Sequence, residues 1–230
     1  MNESKKVGNY VIAIDGPCAT GKSTISKELA KVLNITYIDT GAMYRAVGLY
    51  FYQKNIELNE KNVNDNINDI HIDIYYESGI MKIMLNNVDV SDKIRENVIS
   101  KMASDVSKYP LVREKLVDMQ RKMGQNKAVV LDGRDIGTVV FPNADIKIYL
   151  TASADVRALR RQKDLVKKGE VIDIEKVKKE LEQRDYNDTH RKYSPLKKAD
   201  DAIEIDNSNM SQDEALKYVL TLIKEKIGNV

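Results

Sequence analysis

Gly16-Pro17-Cys18-Ala19-Thr20-Gly21-Lys22-Ser23, followed by Thr24, lies between the apolar, β-branched run Tyr10–Ile14 and a segment carrying Ile25, Leu29, Val32 and Leu33 at helical spacing. Strand, glycine loop and helix in that order satisfy the pattern G-x-x-x-x-G-K-[ST] in the context the pattern requires. A loop of this kind turns backbone N–H groups toward an anion, and the N-terminus of the following helix adds partial positive charge. Lys22 is spaced to reach the terminal phosphates of a polyphosphate, and Ser23 to offer its hydroxyl to Mg²⁺. Cys18 fills a variable position of the loop and reads as a small filler, since no nearby histidine would activate its thiol.

Outward from the loop, the β-then-α rhythm repeats. Tyr37–Asp39 reads as a strand and Thr40 as the N-cap of a helix with Met43, Ala46, Val47, Tyr50 and Phe51 on its apolar side. Three more strands are expected at Ala128–Asp132, Ile146–Leu150 and Ala202–Asp206, which predicts a parallel sheet covered on both faces. One stretch departs from this rhythm. Ile70, Ile72 and Ile74 alternate, Glu77-Ser78-Gly79 turns, Ile80, Ile83 and Leu85 follow, and Asn86-Asn87 turns again before Val88 and Val90. The pattern predicts a three-stranded antiparallel insertion at 59–91 within a core of 1–58 and 92–230. Asn59–Asp69, rich in Asn and Asp, reads as a hinge or short linker. Beyond it, Ile94–Val106 and Pro110–Met123 read as amphipathic helices, and residues 153–193 as two charged helices joined at Lys168-Gly169.

Composition sets the outer bounds. A chain of 230 residues with 42% hydrophobic and 31% charged residues and a mean hydropathy of −0.45 fits a folded soluble protein rather than a disordered or membrane one. A formal charge of +2 is too near balance for general binding to nucleic acid or to a membrane surface, so any anion site must be local. The single cysteine excludes an internal disulfide framework, and two histidines without a cysteine cluster argue against structural zinc. With no apolar leader and no run of 18 apolar residues, the expected location is cytoplasmic.

A phosphate loop alone does not name a reaction. The guanine-reading Asn-Lys-x-Asp is absent, because Asn126-Lys127 continues into Ala128-Val129. Arginine is prominent instead, with Arg45, Arg113, Arg134, Arg184 and Arg191, and with Arg157, Arg160 and Arg161 on one side of a helix. Guanidinium groups grip phosphates in bidentate fashion, and transfer of a phosphoryl group between two anions needs dense positive charge. Asp132-Gly133-Arg134-Asp135 follows a strand, at the carboxyl edge where ligands gather in open α/β sheets. Asp132 could orient Mg²⁺ or its waters, leaving Arg134 and Asp135 for a second substrate. An aspartate facing cytosine accepts from the N4 amine, whereas uracil presents an acceptor there. His71 and His190 read as solvent-facing and are given no role.

Four segments together resemble the bacterial cytidylate kinase family. They are Ala13-Ile14-Asp15-Gly16-Pro17 with the phosphate loop, Tyr37-Ile38-Asp39-Thr40-Gly41-Ala42-Met43-Tyr44-Arg45, Leu131–Pro142 with its Asp132-Gly133-Arg134-Asp135-Ile136-Gly137-Thr138 core, and Arg184-Asp185 through Arg191. The resemblance covers nearly the whole chain, and its second and third segments are far more discriminating than a phosphate loop. It implies a P-loop NTPase-type three-layer α/β/α fold with a five-stranded parallel sheet, the antiparallel insertion, and a helical lid at about residues 155–190. The implied activity is phosphoryl transfer from ATP, with Mg²⁺, to CMP or dCMP. ATP would be held by Gly16, Pro17, Cys18, Ala19, Thr20, Gly21, Lys22, Ser23 and Thr24 and by the lid arginines Arg157, Arg160 and Arg161. Ser104, Arg113 and Asp135 would read cytosine, Asp188 with Arg184 would hold ribose hydroxyls, Arg45, Arg134 and Arg191 would grip the α-phosphate, and Thr40 would line the same pocket. Lys22, Arg134, Arg157, Arg161, Arg184 and Arg191 would act on the transferring phosphoryl group, with Ser23 and Asp132 serving the metal. Cys18-Ala19-Thr20 and Tyr193-Ser194 depart from the residues usual in the family, which bears on affinity and not on the reaction. A monomer acting on small nucleotides, with no nucleic acid polymer or membrane partner, is the family expectation. Other readings stay open: a P-loop kinase for UMP, AMP or shikimate, an ATPase or GTPase switch, and a nucleotide-binding module without turnover.

Overall fold

The computed structural model describes residues 8–228. In chain order the elements are β1 (Val11–Asp15), α1 (Lys22–Leu33), β2 (Thr36–Asp39), α2 (Thr40–Gln53), α3 (Glu60–Asn66), β3 (Ile72–Glu77), β4 (Ile80–Leu85), β5 (Val88–Asp89), α4 (Asn97–Val106), α5 (Pro110–Met123), β6 (Val129–Gly133), β7 (Ile146–Thr151), α6 (Ala154–Lys167), α7 (Ile174–His190), β8 (Ile203–Asp206) and α8 (Gln212–Ile227). They fall into two compact units. The first takes in residues 8–37, Asn126–His190 and 194–228; the second takes in Ile38–Gln125 with Arg191–Tyr193.

The first unit is built on a five-stranded parallel sheet in the order β2-β6-β1-β7-β8. Ile12 and Ile14 of β1, both with no exposed surface, pack with Ile25 and Leu29 of α1 and with Val219 and Ile223 of α8. Ala13, pointing to the opposite face, is equally buried, as a central parallel strand covered on both sides requires. Sequence-adjacent β1 and β2 are separated by β6, while β7 and β8 extend the sheet the other way, so the strand order reverses around β1. Ligands of open α/β sheets bind outside the carboxyl ends of strands at such a reversal, and the phosphate loop leaves from there. Helix α8 begins on a reciprocal cap: the Ser211 hydroxyl accepts from the Glu214 amide while the Glu214 carboxylate accepts from the Ser211 amide.

The second unit closes on α2, α4 and α5. Met43, Val47 and Phe51 of α2 pack with Ile99 and Val106 of α4, Leu116 of α5, and Ile83 and Leu85 of β4. Strands β3, β4 and β5 form the expected antiparallel meander, with Ile72 opposite Leu85 and Ile74 opposite Ile83. Ser78-Gly79 and Asn86-Asn87 all have positive φ, the geometry that lets a two-residue turn match the twist of its strands. Two local readings of the sequence are corrected. The N-cap of α2 is Asp39, whose carboxylate accepts from the Ala42 amide at 2.9 Å, and Thr40 is the first helical residue. Asn59–Asp69 is not a linker: Asn59 caps α3, and burial of Val63 and Ile67 outweighs the poor helix propensity of its Asn and Asp residues.

Gly16, at φ +147, is where the sheet leaves no room for a side chain. A Cβ there would stand 2.0 Å from the Leu150 carbonyl oxygen of β7, a backbone atom that cannot move without breaking the sheet. Gly16→Ala is therefore expected to cost about 3 kcal/mol or more of folding stability, read as a fall of roughly 10 °C or more in the thermal midpoint.

Candidate active site

The loop and α1 in the first unit curl around the Lys22 side chain. Its ammonium donates to the Pro17 carbonyl at 2.5 Å and to the Thr20 hydroxyl at 3.3 Å, and the hydroxyl donates in turn to Pro17 at 3.2 Å. Gly21, at φ +94, forms the N-cap of α1, so the first turn of the helix opens directly from the loop. Burial, reinforced by the Arg134 guanidinium, pulls the Lys22 pKa down to about 7 against the opposing pull of Asp132 and Asp15. Burial would push the Cys18 thiol up, but Arg184, Arg134, Lys22 and Arg161 outweigh it and hold the thiol below its usual range. That balance places four cations around the loop.

Asp132, at the end of β6, meets two residues about a hundred positions away. Ser23 donates its hydroxyl to one carboxylate oxygen at 2.7 Å, and Tyr37 donates to the other at 2.7 Å. A hydroxyl and a carboxylate fixed together suit Mg²⁺, a hard cation that keeps several waters and draws its remaining ligands from phosphate. Among the described residues no group of three or more His, Cys, Asp or Glu side chains could hold a metal ion by itself.

The segment after Asp132 is tied back to β1. The buried Asp15 carboxylate accepts from the Ile136 amide at 2.8 Å and the Gly137 amide at 2.7 Å, capping a wide helical turn at Ile136–Val140. Burial raises the Asp15 pKa to about 6, the two amide bonds opposing it. Arg134 donates to Asp188 of α7 at 2.7 Å, an ion pair that keeps Arg134 charged despite its burial. Arg157 of α6 pairs with Asp185 of α7 and donates to the Ala152 carbonyl. Arg160 reaches the loop through the Thr20 carbonyl at 3.3 Å and binds Asn207. Asp135 is buried, Arg184 has a buried Nε without a hydrogen-bond partner, and Ser23 and Thr24 face solvent.

In the second unit, α2 presents Arg45, whose guanidinium donates to Asp39 at 2.9 Å. Its Nε is buried without a partner, a donor to which an anion could be offered. Thr40 is buried at the start of the same helix. Arg113 and Arg191 both engage Ser107, Arg113 at the carbonyl at 3.5 Å and Arg191 at the hydroxyl at 3.3 Å, and that hydroxyl donates to the Ser104 carbonyl at 2.8 Å. Arg113 also lies 5.5 Å from the centre of the Tyr44 ring. Ser104 Oγ is itself buried and unpartnered. The sequence reading misses the residues that hold the others in place: Asp15, Tyr37, Asp39, Asp185, Asn207 and Ser107. Asp39 carried a usable signal, since an aspartate just before a helix outranks threonine as a cap. Asp15, Tyr37, Asp185 and Asn207 act on partners far away in the chain, and Ser107 links two near neighbours to the distant Arg191.

A family model described as Cytidylate kinase matches residues 12–225. A protein from Fusobacterium nucleatum named cytidylate kinase is 47% identical over 94% of this chain and 98% of its own length. One of the same name from Caldicellulosiruptor saccharolyticus is 48% identical over 95% and 97%. Among solved structures, an uncharacterised protein from Eubacterium ventriosum superposes with a TM-score of 0.51 at 12% identity, covering 94% of this chain and 99% of that one, which is a likeness of fold alone.

Polyphosphate bound in the loop would add negative charge beside Lys22 and raise its pKa. A ¹³Cε titration of the free protein is expected to show one lysine, absent from Lys22→Arg, with its midpoint near pH 7 and neutral above it; saturating nucleoside triphosphate moves that midpoint up by at least about two units.

Proposed function

Because the chain belongs to the cytidylate kinase family, we propose that it transfers the γ-phosphoryl group of ATP to CMP or dCMP, releasing ADP and the corresponding diphosphate. The observation that carries this reading is the cluster of Lys22, Arg134, Arg161 and Arg184 around a phosphate loop, dense enough with positive charge to overcome burial at Cys18. Hydrolysis of one nucleotide would not need so many cations. Transfer between two anionic nucleotides does, because the donor and acceptor phosphates repel each other and charge builds on the equatorial and leaving oxygens.

An α-phosphate oxygen of CMP attacks the γ-phosphorus in line, forming the new P–O bond as the bond to the β,γ-bridging oxygen breaks and ADP leaves with the electron pair. No covalent enzyme intermediate and no strong general base are required, since the attacking oxygen already carries negative charge. The loop from Gly16 to Thr24 orients the donor phosphates, Lys22 and the α6 arginines Arg157, Arg160 and Arg161 neutralise them, and Arg184 acts at the moving group. Ser23 and Asp132 would hold Mg²⁺, which when bound shields the donor phosphates. Arg45, Arg134 and Arg191 grip the acceptor phosphate, with the buried Nε of Arg45 as its available donor. Asp188 holds ribose hydroxyls while it fixes Arg134, and Thr40 lines the acceptor site. Ser104, Arg113 and Asp135 read cytosine, Asp135 by accepting from the exocyclic amine. Helices α6 and α7 form the lid, joined at Gly169, whose φ of +82 marks the turn between them. No described helix is long and apolar enough to cross a membrane. We propose that the enzyme acts on small nucleotides, as a monomer in the cytoplasm.

Initial rates of ADP release with Mg-ATP and CMP, dCMP, UMP, AMP, shikimate or no acceptor test the reading. Turnover confined mainly to CMP and dCMP is expected; ADP release that needs no acceptor, or prefers another, overturns it. Asp135→Ala should lower the ratio of kcat/KM for CMP over UMP by at least about tenfold while the KM for ATP stays within about twofold.

A further inference from the structure

The peptide joining Thr20 to Gly21 lies in the middle of the phosphate loop, and its orientation is set by a residue that arrives 187 positions later. Asn207 follows β8 and is 3% exposed. All four of its hydrogen-bonding groups are used. Its backbone amide donates to the Thr151 carbonyl at 2.9 Å, which fixes the residue to the end of β7. Its side-chain NH₂ donates to the Thr20 carbonyl at 2.8 Å, its side-chain oxygen accepts from Arg160 at 2.9 Å, and its own carbonyl accepts from the same guanidinium at 2.9 Å. Arg160 then adds a second donor to the Thr20 carbonyl at 3.3 Å.

A trans peptide is planar, so the C=O of Thr20 and the N–H of Gly21 point in opposite directions. Glycine tolerates either sign of φ, so this peptide is free to flip unless something holds it. A flipped peptide would turn a carbonyl, a negative dipole, where a phosphate loop needs an N–H. We propose that Asn207 is a positioning residue for the donor phosphates: it pins the Thr20 carbonyl and anchors Arg160 to it, and so keeps the Gly21 N–H turned to the anion. The proposal deepens the phosphoryl-transfer reading and rests on it.

The test is the dissociation constant of ATP, titrated alone against the full chain, beside that of CMP and the thermal midpoint. Asn207→Ala is expected to weaken ATP at least about tenfold and CMP no more than about twofold. Asn207→Asp keeps the volume and the acceptor for Arg160 but replaces the donor to Thr20 with a carboxylate oxygen; it should remain folded and weaken ATP by a similar factor. In a cycle with Arg160→Ala, the double variant with Asn207→Ala should bind ATP clearly less weakly than the product of the two single effects, because the two side chains share the Thr20 carbonyl. ATP affinity within twofold of the parent in folded Asn207→Asp, equal weakening of ATP and CMP, or independent multiplication of the two single effects would each overturn the proposal. Failure of the unmutated protein to bind ATP would instead overturn the phosphoryl-transfer reading on which it rests.

Discussion

Like charges crowded at the carboxyl edge of a sheet must be held there by something, and here carboxylates and carbonyls do it. Arg134 is fixed by Asp188 and Arg157 by Asp185, both acids on α7, while Lys22 is fixed by a carbonyl and a hydroxyl of its own loop. The Asp188 carboxylate offsets the desolvation of Arg134, which therefore keeps its charge. Lys22 lacks such a partner in direct contact, and burial with Arg134 nearby leaves it titrating near neutrality. A lysine so buried gains more from meeting phosphate than a solvated one would, since the anion supplies the missing counter-charge at low local dielectric.

The loop is positioned by connections that cross the whole first unit. Asp15, one residue before Gly16, holds the turn at Ile136–Val140; Asp132 ties Ser23 and Tyr37; Asn207 holds Thr20. Ends of β1, β2, β6 and β8 are therefore bound to one another through side chains as well as through the sheet. In the second unit the same economy recurs on a smaller scale. Asp39 caps α2 and holds Arg45, and Ser107 serves Ser104, Arg113 and Arg191 together. The first unit carries the phosphate loop, and the second carries Arg45, Arg113 and Arg191.

How much of this is legible in the sequence depends on how local the signal is. The strand, loop and helix around Gly16–Ser23 follow from residues within about twenty positions, and the antiparallel meander follows from period-two alternation broken by Ser78-Gly79 and Asn86-Asn87. Helix α3 is hidden, because its Asn and Asp residues favour turns and only burial of Val63 and Ile67 decides the matter. Asp39 is eclipsed by Thr40, a weaker cap one residue later. Ser23 and Asp132 can be named separately from motifs, but their 2.7 Å contact spans 109 residues and no periodicity reports it. Asn207 and Ser107 belong to no motif in the sequence and gain their importance only from what folding brings to them.

The central claim is that the loop's charge is used to move a phosphoryl group between nucleotides and not to release it to water. The destination of the γ-phosphorus decides this most directly: with ³²P in the γ position of ATP, Mg²⁺ and excess CMP, the label is followed by chromatography. The account predicts label recovered as CDP in step with the ADP formed, with little free phosphate. Label appearing chiefly as inorganic phosphate, at a rate indifferent to CMP, would contradict it.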